Sequence, residues 1–392
     1  MYKILLISPF PPSQNPRLLK EYQALKAAGF EVKALYAERD SWSSNHKVPE
    51  GFERVGGKVG SFWHWMTRVI HRVSKIFLPY EYHYNRVSLL LLRRALTIKA
   101  DLYIGHELTT LPIVVKAAKK YKSKCGFDIE DFHRNEVSND IGSYQYLAAS
   151  AIENKYINQV NYITAASPLI AESYQTIYPD VKSQVINNVF SNKHIVNDPI
   201  KPNASLKLFW FSQTVGKGRG LELVLEAMAK LSQLPISLAL LGNADKQTKL
   251  YFQALVINSG LTEDRLNFLS PVKPEDIFNI ANQHDIGLAL ELRTPKNRDI
   301  CLTNKIFTYL NSGLAILASN TLAQQKLISE NANIGTLFNS GDLASITSAL
   351  ENYYKHPEFL KLHREQARQI AKTKFNCELE SQKFISLINS TL

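Results

Sequence analysis

The chain has 392 residues, more than one hydrophobic core usually organises, so two domains of ordinary size are expected. Hydrophobic residues make up 45% and charged residues 21%, which excludes a disordered chain, a collagen-like or heptad repeat and a low-complexity protein. The net charge of +11 is concentrated: between Arg54 and Lys99 nine Lys and Arg stand against one acid, Glu81, a patch that suits phosphates on nucleic acid, anionic lipid or a phosphorylated substrate alike.

In chain order the pattern is a short apolar run followed by a helical period, many times over. Strands are expected at residues 3–8, 31–36, 101–105, 124–129, 162–165 and 184–186, then at 206–211, 236–241, 266–269, 286–290, 315–318 and 334–337. This is the signature of parallel sheets covered by helices, so the predicted fold is α/β with two Rossmann-like domains. Residues 1–190 form the first, on the acceptor side in the reading below. A polar linker with Pro199 and Pro202 spans 191–204, the second domain spans 205–375, and 376–392 is a C-terminal helix that is a candidate for crossing back to the first domain. No apolar run approaches the roughly 20 residues of a membrane span, and the start reads into a strand without a signal-peptide pattern, so a cytoplasmic protein is expected. Cys125, Cys301 and Cys377 fit neither a disulfide framework nor a zinc site, and no metal is expected.

Open parallel sheets bind ligands beyond the carboxyl ends of their strands, which directs attention to four loops. The first, Ser8-Pro9-Phe10-Pro11-Pro12-Ser13-Gln14-Asn15-Pro16-Arg17, lacks G-x-G-x-x-G, so a nicotinamide or flavin enzyme is not expected. Asn15 and Arg17 are either ligands for an anionic or hydroxylated group or a helix cap with a solvated Arg. The second is Gly105-His106-Glu107-Leu108, and with it goes the cluster 127–136, which holds Asp128, Glu130, Asp131, His133, Arg134 and Glu136. Such groups serve acid–base chemistry or grip sugar hydroxyls, the alternative being a solvated loop of local ion pairs; His106 and Asp128 are the leading candidates.

In the third loop, Gly216 and Gly218 let a diphosphate approach the backbone and Arg219 offers a fork of donors ahead of a helix, although no P-loop is spelled out. The fourth runs from Glu291 to a helix beginning near Thr303 and ending at Gly313. Lys305 lies in its first turn, where a cation opposes the helix dipole, so a bound anion explains it better than helix stability does. Separately, Phe62, Trp65, Met66, Val69, Ile70, Val73, Ile76 and Phe77 follow helical spacing with His64, Arg68, His71, Arg72 and Lys75 opposite. This basic amphipathic helix within 61–78 suits either an anionic membrane surface or packing on the domain core. Nucleic acid is not an expected partner, because no recognised module is present and aromatics are not interleaved on the basic face.

Thr303-Asn304-Lys305-Ile306-Phe307-Thr308-Tyr309-Leu310 with Ser312-Gly313 resembles the N-K-[LI]-F-E-Y helix of the retaining, family-4-type glycosyltransferases of the two-domain GT-B fold. His106-Glu107-Leu108 with Thr110-Leu111-Pro112 is similar to that family's H-D-L-x-T-L-P segment, 127–130 to its D-A-H-E, and Asn187-Asn188-Val189 to its N-N-V turn. The resemblance implies two facing domains, a metal- and cofactor-independent retaining sugar transfer from a nucleoside diphosphate-sugar, and an acceptor that is a glycan or lipid-linked saccharide, in cell-surface polysaccharide or lipopolysaccharide synthesis. Carried onto this sequence, Arg219, Lys305, Asn304, Thr303, Gly216 and Gly218 hold the donor diphosphate, and Pro271 and Val272 border the nucleobase. His106, Asp128 and Glu130 orient sugar and acceptor, with Asn15, Arg17 and Glu107 on the acceptor side. Two family glutamates fall on Ile300 and Thr308, leaving Glu291 or Asp299 as substitutes toward the donor sugar, and Glu130 stands where the family has a histidine. A sugar-nucleotide epimerase on the same fold and a noncatalytic nucleotide- or glycan-binding protein are the rival readings.

Overall fold

A computed structural model describes residues 1–38, 48–197 and 205–392; positions 198–204 of the expected linker, with Pro199 and Pro202, lie outside the described residues. The chain divides into two compact units. The first holds Met1–Asn187, Pro295–Asn297 and Glu380–Leu392, and the second Asn188–Thr294 and Arg298–Leu379.

The first unit is built on a seven-stranded parallel sheet: β1 (Lys3–Ile7), β2 (Glu31–Ala37), β3 (Phe52–Val55), β4 (Leu102–His106), β5 (Lys124–Ile129), β6 (Tyr162–Ala165) and β7 (Ser183–Val185), in the order β3-β2-β1-β4-β5-β6-β7. Its core joins Ile4, Leu6, Leu102 and Ile104 to Leu18 and Leu25 of the helix Pro16–Ala27, and to Phe384 and Ile388 of the C-terminal helix. Glu380 of that helix accepts from the Asn187 backbone N (3.2 Å) and Nδ2 (3.1 Å).

The second unit has six parallel strands: β8 (Leu206–Thr214), β9 (Ile236–Asn243), β10 (Leu266–Leu269), β11 (Ile286–Ala289), β12 (Ala315–Ser319) and β13 (Gly335–Phe338), ordered β10-β9-β8-β11-β12-β13. Leu206, Leu208 and Trp210 of β8 pack with Val224, Leu225 and Met228 on one face, while Phe209 packs with Phe307, Tyr309 and Ile316 on the other. A strand covered on both faces has no polar side, which is why these runs read as continuous apolar segments. Chain order reverses between β1 and β4 in one sheet and between β8 and β11 in the other, and such switch points open crevices at strand ends.

The structure departs from the sequence reading at the edge strand β3, which was not expected. The helix Phe62–Phe77, whose surroundings the sequence left open, is turned outward. His64, Thr67 and Ser74 are buried, while Phe62, Trp63, Trp65, Val73, Ile76 and Phe77 are exposed. The inward polar groups are satisfied close by: the Thr67 hydroxyl donates to His64 O (2.7 Å), the Ser74 hydroxyl to His71 O (2.9 Å), and His64 Nε2 meets Arg86 Nη2 (2.7 Å). Arg68, Arg72 and Lys75 are exposed on the same helix. Among the described residues no helix is long and apolar enough to cross a membrane.

Candidate functional site

In the second unit the polar groups gather where β8 and β11 end. β8 runs through a register irregularity between Phe211 and Thr214 into the glycine turn 216–220. Gly218 and Gly220 sit at φ +68° and +81°, in the left-handed region, and a Cβ on Gly220 would lie 3.0 Å from Leu290 Cβ. The turn is thereby pressed against the residue that precedes Glu291. Glu222 accepts from the Gly218 N–H (3.0 Å), and Arg219 Nη1 donates to Ser212 Oγ (3.0 Å). From the other side, Lys305 Nζ donates to Glu291 Oε1 at 2.6 Å, with both side chains largely sheltered. Arg219 and Lys305 are thus tied to elements that meet at 290–291, and the cation that opposes the dipole of the helix Asn304–Ser312 is balanced by Glu291.

The start of that helix is left open. Thr303 occupies the N-cap with extended backbone, yet its side chain makes no cap bond, and its buried Oγ1 has no partner. Asn304 follows, exposed. The first-turn N–H groups of a helix point out of its end without intrahelical acceptors, so an open N-terminus beside Lys305 has the donors an oxyanion needs. The other donor-side candidates are placed differently. Asp299 Oδ1 accepts from the Leu322 N–H (3.0 Å) and lies 3.5 Å from Arg293 Nε. Thr308 is buried and turns its hydroxyl back onto Asn304 O (3.0 Å), Ile300 is buried, and Pro271 and Val272 sit exposed after β10.

In the first unit the switch point holds a buried network of charge. Arg17 donates through Nε and Nη2 to the two oxygens of Asp128 (2.7 and 2.6 Å) and through Nη1 to Ile186 O (2.6 Å). Thr164 also donates to Asp128, at 2.6 Å. His106, wholly buried, has Nδ1 at 3.1 Å from Glu130 Oε1 and 3.4 Å from Asp128 Oδ2, and Nε2 at 3.2 Å from Glu21 Oε2. Asn15 caps the helix through the Leu18 N–H (3.0 Å) and donates its amide to Glu130 (2.6 Å). Asn15 and Arg17 are both buried, and Arg17 is neither solvated nor directed to open space but spent on Asp128 and Ile186.

The electrostatics follow from these distances. Burial would raise the Asp128 carboxyl, but Arg17 and the His106 bond outweigh it and hold it well below the ordinary range. Burial would lower His106, yet Glu21 and the bonds to Asp128 and Glu130 keep it well above its usual value, an imidazolium among carboxylates. Sequence reasoning missed Glu21, whose buried carboxylate approaches His106 off the line of a hydrogen bond; neither oxygen has a donor, and burial raises its pKa. Its setting, Lys20-Glu21-Tyr22 in mid-helix, carries no signal of burial beyond its helical spacing from Arg17 and Leu18. Among the described residues, Glu21, His106 and Asp128 are the group whose ligand atoms lie close enough for a metal, within 4.8 Å. A cation there would compete with the Arg17 guanidinium already on Asp128.

The segment after β5 continues the network. Asn297, part of this unit, accepts from the Phe132 N–H (2.7 Å) and donates to Asp131 (2.6 Å), whose carboxyl is pushed up to about 6 by burial and by Glu136. Glu107 stands at φ +70°, an uncommon conformation for a residue with a Cβ; burial and Glu130 raise its carboxyl well above the ordinary range.

No family model matches the sequence, and no curated protein matches it. Solved structures do resemble the fold. Sucrose-phosphate synthase from Thermosynechococcus elongatus superposes with a TM-score of 0.75 at 14% identity, covering 100% of this chain and 99% of that one. HepE from Anabaena, in complex with UDP and glucose, gives 0.69 at 16% identity with 100% of both chains covered. A putative UDP-N-acetylglucosamine 2-epimerase from Listeria monocytogenes gives 0.61 at 9% identity, covering 99% and 96%. At these identities the likeness establishes the GT-B fold, two Rossmann-like parallel-sheet domains of seven and six strands, and leaves chemistry to be argued from residues.

Proposed function

We propose that the protein is a glycosyltransferase that moves a sugar from a nucleoside diphosphate-sugar to a glycan or lipid-linked acceptor, with retention at the anomeric carbon and without a metal. The observation that carries the reading is the helix start at 303–305: a buried Thr303 hydroxyl without a partner, open backbone donors and Lys305, beside the glycine turn bearing Arg219. A departing diphosphate develops negative charge, and donors fixed in advance where that charge appears are the largest lever an enzyme of this kind has. Similarity to a fold crystallised with UDP and glucose supports the choice of anion. In this reading Lys305 leaves Glu291 for the diphosphate, which frees Glu291 to accept from sugar hydroxyls. His106, Asp128 and Glu130 form the rigid floor of the acceptor side, in a protein that works in the cytoplasm.

The test is UDP binding by calorimetry followed by acceptor-dependent release of UDP from a panel of UDP-sugars. Lys305→Ala should weaken UDP at least tenfold, the loss of one charge-assisted contact, with an unchanged melting temperature. Unchanged affinity would remove the donor site. A second reading, a binding protein without turnover, is favoured by one observation: the two family glutamate positions are the buried Ile300 and Thr308, and Asp299 is already engaged. It predicts UDP binding with no release of diphosphate, whereas an epimerase would turn over a UDP-sugar without any acceptor.

We also propose that the outward apolar face of Phe62–Phe77, flanked by Arg68 and Arg72, rests on an anionic membrane surface, where apolar burial and head-group attraction act together. Cosedimentation with phosphatidylglycerol vesicles should fall on Trp63→Ser with Trp65→Ser; retention of full binding by that double variant would exclude this helix as the contact.

A further inference from the structure

The first unit contains a cavity of about 640 Å³, a volume in the range of small-molecule sites, whose lining includes Glu107 of the acceptor-side set. It lies between the helix Phe62–Phe77, which contributes His71 and Lys75, and the loops after β4 and β5, which contribute Glu107, His133 and Glu136. From this cavity we infer a binding site for a phosphorylated sugar, gripped by His71, Lys75, Arg86 and His133. Naming that sugar as part of the acceptor rests on the transferase reading above; the binding itself does not.

Three independent features point to a ligand. His133 is 2% exposed, and its Nε2 has no partner, while Nδ1 lies 3.4 Å from Glu136 Oε2. Burial would lower this imidazole, but the bond to Glu136 outweighs it and holds it up to about 9, so at neutral pH its free Nε2 is a charged donor. The buried His71 Nδ1, on the helix that lines the same cavity, is also without a partner. Buried polar atoms are rarely left unpaired, and two on residues that line one cavity are explained by a molecule bound among them. The third feature is Glu107, held at positive φ where strain is retained only when the surroundings impose it.

Charge selects an anion. Lys75 and Arg86 line the cavity with His133, and Glu136 is the acid held in its charged form, below its usual pKa. Burial and Glu130 raise the Glu107 carboxyl well above its ordinary range, which weakens its opposition to an anion. Arg86 is anchored to Glu38 O at 3.0 Å and to His64 Nε2 at 2.7 Å, which fixes its position at the wall. A bare phosphate would leave the rest unused: Phe10, Tyr84 and Tyr144 add aromatic faces, with the Lys75 ammonium 5.2 Å from the Tyr144 centroid. Apolar faces combined with dense polar donors suit a sugar ring that carries a phosphate.

The full chain is titrated calorimetrically with glucose-6-phosphate, with glucose and with inorganic phosphate. Glucose-6-phosphate should bind saturably and at least tenfold tighter than either fragment. His133→Gln and Lys75→Ala should each weaken it by about tenfold, the scale of one lost charge-assisted contact, while UDP affinity stays within about twofold of the parent. Lys75 is exposed, so Lys75→Ala decides the matter should His133→Gln fail to fold. A lipid-borne source is tested by flotation with phosphatidylcholine vesicles containing phosphatidylinositol phosphate; binding there that Lys75→Ala abolishes, without binding of the free sugar phosphate, assigns the site to a head group. No saturable binding in either arm, or binding indifferent to both substitutions, overturns the inference. Because UDP is read separately through Lys305→Ala, loss of this site and loss of the donor site are distinguishable.

Discussion

The two switch points of this molecule solve opposite problems. In the first unit, Arg17, Asp128, Glu130 and Asn15 are buried or nearly so and bond one another and His106 Nδ1, while Glu21 and the His106 Nε2 beside it are left short. In the second unit, the groups at the strand ends are fewer, partly exposed and incompletely paired among the described residues: the Thr303 hydroxyl has no partner, Lys305 bonds Glu291, and Arg219 bonds Ser212. A closed network fixes geometry, while an open one waits for a ligand to complete it. The lesson is that density of charged residues marks the frame of a site, and the unsatisfied donor marks the place where a ligand is to be sought.

The largest test of that contrast is Arg17→Ala. Removing the guanidinium leaves Asp128, fully buried, facing His106 and Thr164 alone, and breaking a buried pair by deleting one partner costs about 3–5 kcal/mol. Urea denaturation should show a loss of that order with the slope unchanged. A loss below about 1 kcal/mol would mean that Asp128 takes up a proton instead, and the first unit would then be no more rigid than the second.

Much of the fold was legible because parallel strands buried on both faces are continuous apolar runs, as in Ala315-Ile316-Leu317-Ala318. β3 was not, because Phe52-Glu53-Arg54-Val55 is four residues long with two charges, and it pairs only at a sheet edge with β2. The helix at 62–77 was legible as a helix but not in its orientation: periodicity reports that two faces differ and says nothing about which is inward. At the candidate site, the residue types after each strand end could be read, whereas the Arg17–Asp128 pair joins positions 111 apart, and Glu21 looks like any solvated helix glutamate. Thr303 was visible as a helix start, but the missing cap bond is a property of coordinates alone.

A smaller effect separates frame from cavity by pH. Glu107 has its native pKa raised by burial and by Glu130, with Asp131 and Glu136 adding to the rise and His133 opposing it. The folded state therefore keeps a proton that the unfolded chain has already lost, so stability falls as pH rises from the ordinary glutamate value toward the native one, by up to about 1.4 kcal/mol per pH unit. Glu107→Gln removes that fall. As pH rises above the ordinary glutamate value the variant should become more stable relative to the parent, as read by melting temperature across about three buffers, while Asp131 at about 6 and His133 at about 9 titrate in both proteins. Parallel profiles would mean that burial does not raise the Glu107 carboxyl.

The smallest effect is expected where the second unit looks most strongly paired. Lys305 and Glu291 meet at 2.6 Å, yet their side chains retain 19% and 16% of their exposure, so solvent screens them and ordering two long side chains offsets the attraction. A double-mutant cycle of Lys305→Ala and Glu291→Ala should give a coupling of about 1 kcal/mol or less in the free protein. In the presence of saturating UDP the coupling should vanish, because Lys305 exchanges Glu291 for phosphate oxygens and the carboxylate no longer senses it. A coupling of several kcal/mol that UDP leaves untouched would make this ion pair a structural clasp like Arg17–Asp128, and the two switch points would then be alike.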